Sequence, residues 1–262
     1  MENLKIAAKE PEDLRLFDVP LHRVGVGRLH AFIEKTALEG TKALILNVNI
    51  HCMVLSFKNA WMREILNQAQ MIYCDGDGVK AGLRILGMDT PPKVAFTRWI
   101  WDLAAFAERK QLRLFLLGAK PGIAEKAGAC LKARFPKLEI AGVHDGYFKK
   151  EGPETEDVIR QINASDANIL IVGFGMPIQE RWLYDNWHKI DVNIFLPGGA
   201  VLDYASGMLG QAPRWMIQWH LEWLFRIYED PKRLFWRYAY DIPVFFSKIL
   251  LTKAVRVLGR EK

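Results

Sequence analysis

Cysteine is scarce in this chain: three stand among 262 residues, at Cys52, Cys74 and Cys130. They are odd in number, widely spaced and set among apolar neighbours, which argues against a disulfide framework and reads as buried, reduced thiols. No C-x-x-C occurs, and none of the six histidines pairs with another as H-x-x-x-H. A structural zinc site is therefore not expected. No window of about eighteen residues is both apolar and uncharged, so a spanning helix is not expected either. The N-terminus, M-E-N-L-K-I-A-A-K-E-P-E-D, lacks the apolar core of a signal peptide. Repeats and low-complexity tracts are missing, as are G-x-G-x-x-G and Walker loops.

What remains is ordinary globular composition, 50% apolar and 25% charged, with charge distributed unevenly. The net charge is +6, and residues 211–262 hold ten Lys or Arg against five Asp or Glu, so the last fifth of the chain carries +5 of it. Such asymmetry points to an anionic partner, either nucleic acid or a lipid surface. Trp215, Trp219 and Trp223 recur every four residues in the same region, forming one aromatic stripe on a helix. Phe245, Phe246, Ile249 and Leu250 make a second apolar patch beside Lys248 and Lys253. Core packing is the usual cause of such stripes. Here aromatic density coincides with positive charge, which favours an interfacial helix on anionic lipid. No nucleic-acid-binding motif accompanies the basic residues.

Up to about residue 200, short apolar runs alternate with longer amphipathic ones. Strands are expected at 42–49, 71–74, 112–118, 138–144, 167–175 and 191–199, and helices at 61–69, 79–86, 121–135 and 177–187. This alternation predicts an α/β fold with a mainly parallel sheet covered by helices on both faces. Glycine-bearing turns at 75–78, 118–122, 173–177 and 197–200 fall at strand ends, where such sheets bind ligands. Beyond about 210 the chain reads as successive helices broken at Pro231 and Pro243. The expected division is a core over 1–208 and a helical appendage over 209–262.

Several stretches stand out as candidate sites. D-G-D-G (75–78) follows a short apolar run. Asp75 and Asp77 there could hold Mn²⁺ or Mg²⁺ on a diphosphate, supply a base, or form a turn with Asp77 as helix N-cap. L-L-G-A-K-P-G (116–122) places Gly118 where backbone N–H groups could cradle a phosphate, with a tight turn as the alternative. In G-F-G-M-P-I-Q-E-R-W (173–182), Gly175 allows close backbone approach, and Gln179 and Glu180 aim polar groups at the crevice. Gln179 could bond a sugar hydroxyl or a uracil edge, or Glu180 could simply favour the helix start. Asn47 and Asn49 are separated by one residue and so share one face of a strand; asparagine is disfavoured in strands, so they line a site or make a strand-end turn.

These motifs, with H-D-G-Y-F (144–148), P-G-G-A-V-L-D-Y-A-S-G (197–207), A-P-R-W, L-E-W-L-F-R and E-D-P-K-R-L-F-W-R-Y, run in order from about 46 to 238. Together they resemble the WecG/TagA/CpsF glycosyltransferases, which act on polyprenyl-diphosphate-linked sugars in bacterial surface polysaccharide assembly. The resemblance implies a Rossmann-like core, a UDP-sugar donor, inversion at the anomeric carbon without a metal, and attachment to the cytoplasmic face of the inner membrane. It implies Asp75 as the base, with Asp77 secondary. Asn47, Asn49, Gln179 and the appendage residues Arg226, Arg233 and Arg237 become substrate-binding. This chain departs from the family where threonine is usual at Asn47, arginine at Lys93, and arginine at Gln211. Lysine keeps the charge but loses bidentate recognition. The departures favour a plain hexose, with UDP-glucose the preferred donor in a xanthan-type exopolysaccharide. The rivals are transfer of an N-acetylmannosaminyl or uronosyl unit, or a non-catalytic sugar-nucleotide or nucleic-acid binding module. A polyprenyl-diphosphate sugar and an anionic membrane are the expected partners, and nucleic acid is not.

Overall fold

The computed structural model describes residues 4–219 and 221–258, apart from the side chain of Arg233. The chain opens with β1 (Lys5–Ile6), the hairpin strands β2 (Leu14–Leu16) and β3 (Val19–Leu21), and α1 (Val26–Leu38). The middle runs β4 (Thr41–Val48), α2 (Ile50–Lys58), α3 (Ala60–Gln68), β5 (Met71–Cys74), α4 (Asp77–Ile85), α5 (Phe96–Lys110) and β6 (Leu114–Gly118). It continues with α6 (Ile123–Arg134), β7 (Ile140–His144), α7 (Pro153–Ala164), β8 (Ile169–Gly173), α8 (Ile178–Asn186) and β9 (Ile194–Pro197). Then follow α9 (Val201–Ala205), α10 (Arg214–Gln218), α11 (Glu222–Glu229) and α12 (Pro231–Leu258).

Seven strands form one parallel sheet in the order β1-β4-β9-β8-β6-β7, with β5 also on β4. Strands β1 and β5 share one edge of β4, because Lys42, Leu44 and Val48 direct their carbonyls to that side and Ala43 bonds toward β9. The pleat sorts the core. Leu44, Leu46 and Val48 face α2, α3, α4, α7 and α8, while Ala43 and Ile45 face α1, α5, α6 and α9. Burial on both faces explains why these strands read as unbroken apolar runs. Every strand of this sheet points its carboxyl end the same way, so the four glycine turns lie along one rim. At that rim β6 leads outward to β7 while β8 leads back to β9, a reversal that leaves a crevice between neighbouring strands. There Gly118, at φ +138°, admits no side chain: a Cβ would stand 2.5 Å from the Gly173 carbonyl oxygen.

The C-terminal helices differ from expectation in three ways. Trp215, Trp219 and Trp223 do not form one stripe on a single helix, because α10 ends at Gln218 and α11 begins at Glu222, with Trp219 between them. Pro243 does not break a helix; α12 runs through it. A proline within a helix costs about 3 kcal/mol. Phe245 and Ile249, fully buried against α2 and α4, gain about 1.5–3 kcal/mol each, which offsets that cost. These two residues also leave the apolar patch expected to face lipid, since they belong to the core, whereas Leu250 stays exposed. Lys248 stands 4.3 Å from the Phe57 ring centroid and Lys58 4.1 Å from that of Tyr240, and His51 bonds the buried Asp241 at 2.7 Å. Phe245→Ala is expected to destabilise the whole chain by about 3–5 kcal/mol, measured as a shift of a single cooperative denaturant transition.

Candidate active site

Asp75 is the first residue after β5, and its N–H donates to Val48 O at 2.9 Å. Its partly buried carboxylate accepts from Asn47 Nδ2 at 3.2 Å. Burial raises the Asp75 carboxyl above the usual carboxylate range, Arg226 and Lys93 pull it partly back, and Glu222 pushes it up again. Tyr73, two residues earlier, has a buried hydroxyl without a hydrogen-bond partner. The carbonyl oxygen of Asn47 is likewise buried and unpartnered. Unsatisfied polar atoms beside a carboxylate of raised basicity mark a place for ligand or proton chemistry.

Gly76 caps α4, and Asp77 is the first residue of that helix rather than its N-cap. The Asp77 carboxylate binds Lys93 Nζ at 2.6 Å. Lys93 also grips Glu222, which in turn binds Arg98. Burial would lower the Lys93 ammonium, but Asp77 and Glu222 outweigh it and hold it above its ordinary value. Burial would likewise raise Glu222, and Lys93 with Arg98 brings it below. Arg226 reaches the same cluster from α11, its guanidinium 5.8 Å from the Tyr204 ring centroid. A small pocket lined by Thr97, Arg98, Tyr204, Gln211, Glu222 and Arg226 opens beside these charges, with a cavity volume of about 20 Å³.

The structure thus brings Asn47, Asp75, Asp77, Lys93 and Arg226 together. It adds Arg98, Glu222 and Tyr204, which sequence reading passed over. Glu222 was visible in L-E-W-L-F-R, four residues before Arg226 and so on the same helical face; Arg98 carried no such signal. Asn49 lies outside the strand and caps α2, accepting from Cys52 N at 3.0 Å. Arg237 sets its guanidinium 5.2 Å from the Tyr238 ring centroid, with its Nε buried and unpartnered. Arg233 falls outside the described side chains. Among the described residues, no three His, Cys, Asp or Glu side chains cluster to hold a metal ion.

Gln179 and Glu180 form a second unit at the ends of β8 and β9. Gln179 does not project into the crevice: it is 1% exposed, and its Oε1 accepts from Gly175 N at 3.1 Å and Gly199 N at 2.9 Å. Both acceptor positions are committed to the protein, so this side chain ties two glycine turns together in place of the expected sugar or uracil contact. Its Nε2 donates to Glu180 Oε1 at 2.7 Å. Glu180 is buried with Oε2 unpartnered. Burial raises its carboxyl from 4.5 to about 7, against the pull of the Gln179 bond. A neutral acid can keep that place without a counter-charge.

Between pH 4.5 and about 7 the unfolded chain ionises Glu180 while the folded chain keeps it protonated. Stability therefore falls as pH rises through that window, by about 3 kcal/mol. Glu180→Gln keeps the acceptor for Gln179 and removes the titration. Denaturant midpoints for wild type and variant are expected to diverge over this range, the variant being the more stable at pH 7.

The chain is 29% identical over 219 residues, 83% of each protein, to an N-acetylglucosaminyldiphosphoundecaprenol N-acetyl-beta-D-mannosaminyltransferase of Bacillus spizizenii. Enzymes of the same description match from Bacillus subtilis, 27% identical over 79% of each chain, and from Staphylococcus aureus, 28% identical over 76% of this chain and 75% of the relative. The model of the glycosyl transferase WecG/TagA/CpsF family matches residues 14–257, essentially the whole described fold, and the chain belongs to that family.

Proposed function

We propose that the protein is an inverting transferase that moves an N-acetylmannosaminyl unit from its UDP-sugar to a polyprenyl-diphosphate-linked N-acetylglucosamine. The observation that carries this reading is the Asp75 carboxylate at the strand end, partly buried, bonded by Asn47 and faced by Arg226. The relatives' own activity favours N-acetylmannosamine over the glucose that Asn47, Lys93 and Gln211 suggested: the three relatives above are N-acetylmannosaminyltransferases, and UDP-glucose finds no support among them.

In this reading the acceptor hydroxyl attacks the anomeric carbon as the bond from that carbon to the UDP oxygen breaks. Asp75 takes the hydroxyl proton, and the leaving diphosphate gathers the negative charge. Cations fixed beside the leaving group stabilise that charge in the transition state; Lys93, Arg98 and Arg226 are the candidates. Metal-independent transfer is part of the proposal, because Lys93 already occupies the Asp77 carboxylate that a D-x-D clamp would need.

Asp75→Asn should lower kcat by about 10²–10⁴-fold, and Asp77→Asn by less. In wild type, kcat/KM should fall as pH drops through the raised Asp75 pKa, since the base works only ionised. The assay is UDP release from UDP-N-acetylmannosamine with a short-chain lipid-diphosphate N-acetylglucosamine. Full activity in Asp75→Asn overturns the base assignment; activity lost to a chelator and restored by Mn²⁺ overturns metal independence. Faster release from UDP-glucose would return the donor to glucose.

Attachment to the cytoplasmic face of the membrane belongs to the same proposal. No helix of the described residues is long and apolar enough to cross a membrane. Trp219, Tyr228 and Trp236 are 74%, 82% and 73% exposed, aromatic side chains in a basic segment suited to a lipid interface. Because α12 is part of the core, replacing these aromatics by serine in the full chain is the sound test. Co-sedimentation with anionic vesicles should weaken, and for wild type it should decline as salt rises.

A further inference from the structure

The charges around Asp75 balance without any substrate. Lys93, Arg98 and Arg226 stand against Asp75, Asp77 and Glu222. A diphosphate that reaches Lys93 and Arg98 finds both already bonded to one carboxylate, Glu222, so that carboxylate has to give way. Asp75 and Asp77 sit on the core, at the end of β5 and the start of α4. Glu222 alone arrives from elsewhere, on the first turn of α11.

Its mode of binding resembles that of a phosphate group. One carboxylate oxygen, Oε2, goes to Lys93 Nζ and the other, Oε1, to Arg98 Nη1. Two oxygens of one anion are thus shared between two cations, the arrangement that adjacent phosphate oxygens would reproduce. Lys93 is sheltered, with a side-chain exposure of 17%, and Arg98 is partly exposed at 36%. An anion there is worth more than a surface ion pair.

Helix α11 is built to yield, since none of its residues is fully buried. Glu222 and Arg226 tie it to the core by charge, and moving it uncovers no fully buried side chain of its own. We infer that Lys93 and Arg98 form a two-point receptor for a substrate diphosphate, and that Glu222 is the internal anion that fills it until the substrate arrives. This rests on the transferase reading above. It adds Glu222 as the anion that holds the place of the diphosphate between Lys93 and Arg98, and it links substrate entry to movement of α11. Both proposed substrates carry such a group, so the test has an arm for each.

Isothermal titration of the full chain with UDP, and separately with a short-chain prenyl-diphosphate N-acetylglucosamine, would compare wild type with Glu222→Gln and Arg98→Gln. Removing the competing charge should tighten one of the two ligands by about tenfold, the scale of one charge-assisted hydrogen bond, and the ligand that gains names the diphosphate involved. Arg98→Gln should weaken that same ligand about tenfold or more, both alone and in the Glu222→Gln background. Arg98 is partly exposed, so this variant carries the test even if Glu222→Gln unfolds. Unchanged or weaker binding of both ligands by folded Glu222→Gln, or unchanged binding by Arg98→Gln, overturns the receptor while leaving the transferase reading intact. Failure of wild type to bind either ligand overturns both.

Discussion

Charge withdrawn from water has to be matched, and at the end of β5 that requirement organises the molecule. Asp75 cannot be ionised in a crevice among apolar strands without cations nearby. The core supplies Lys93; the second, Arg226, comes from about 150 residues later. The C-terminal helices are therefore more than an attachment. They return to complete the electrostatics around a carboxylate at the end of the sheet, and the burial of Phe245 and Ile249 under α2 and α4 fixes where they return. A pair such as Lys93 with Glu222 is weak evidence for stability, because desolvation cancels much of the attraction. Its value is in position: it determines which side chains face Asp75.

The other half of the rim is held by hydrogen bonds rather than by ion pairs. Gln179 accepts from one N–H in each of two glycine turns, and Glu180 holds the amide in the orientation this requires. The two halves adjoin at the first turn of α2, where Cys52 lies beside Glu180 and is capped by Asn49. Both the burial of Cys52 and the negative charge of Glu180 suppress thiolate formation, so this cysteine serves packing rather than nucleophilic chemistry. The sequence reading of buried, reduced thiols agrees with the environments of Cys52 and Cys74; Cys130 is only partly buried.

The parallel sheet was legible because its strands are buried on both faces and stand out as short apolar runs between helical patterns. β5 fell on Met71–Cys74 to the residue, and the alignment of glycine turns along one rim followed from strand direction alone. Less was legible wherever long-range partners decide the outcome. Pro243 reads locally as a helix break, yet distant contacts with α2 and α4 carry the helix through it. Gln179 reads as a polar group at a crevice, but only the fold shows both of its acceptor positions consumed by Gly175 and Gly199. Arg98 had no local signature at all, since its meaning comes from Glu222, more than a hundred positions away.

Helix α11 joins the two themes of site and surface in eight residues. Glu222, Phe225 and Arg226 recur at helical spacing and line the pocket beside Asp75. Trp223, Leu224 and Tyr228 occupy the opposite arc and are exposed. With the outward arc resting on lipid as proposed, the inward arc is presented to the core at the depth of the head groups, where the diphosphate of a polyprenyl acceptor would lie. Displacement of Glu222 by a diphosphate would then turn a helix whose other face is in lipid. Substrate occupancy and membrane contact would share one element, and whatever loosens α11 on one side changes its freedom on the other. A short helix with no fully buried residue suits that task, because firmer packing into the core would hold the receptor closed.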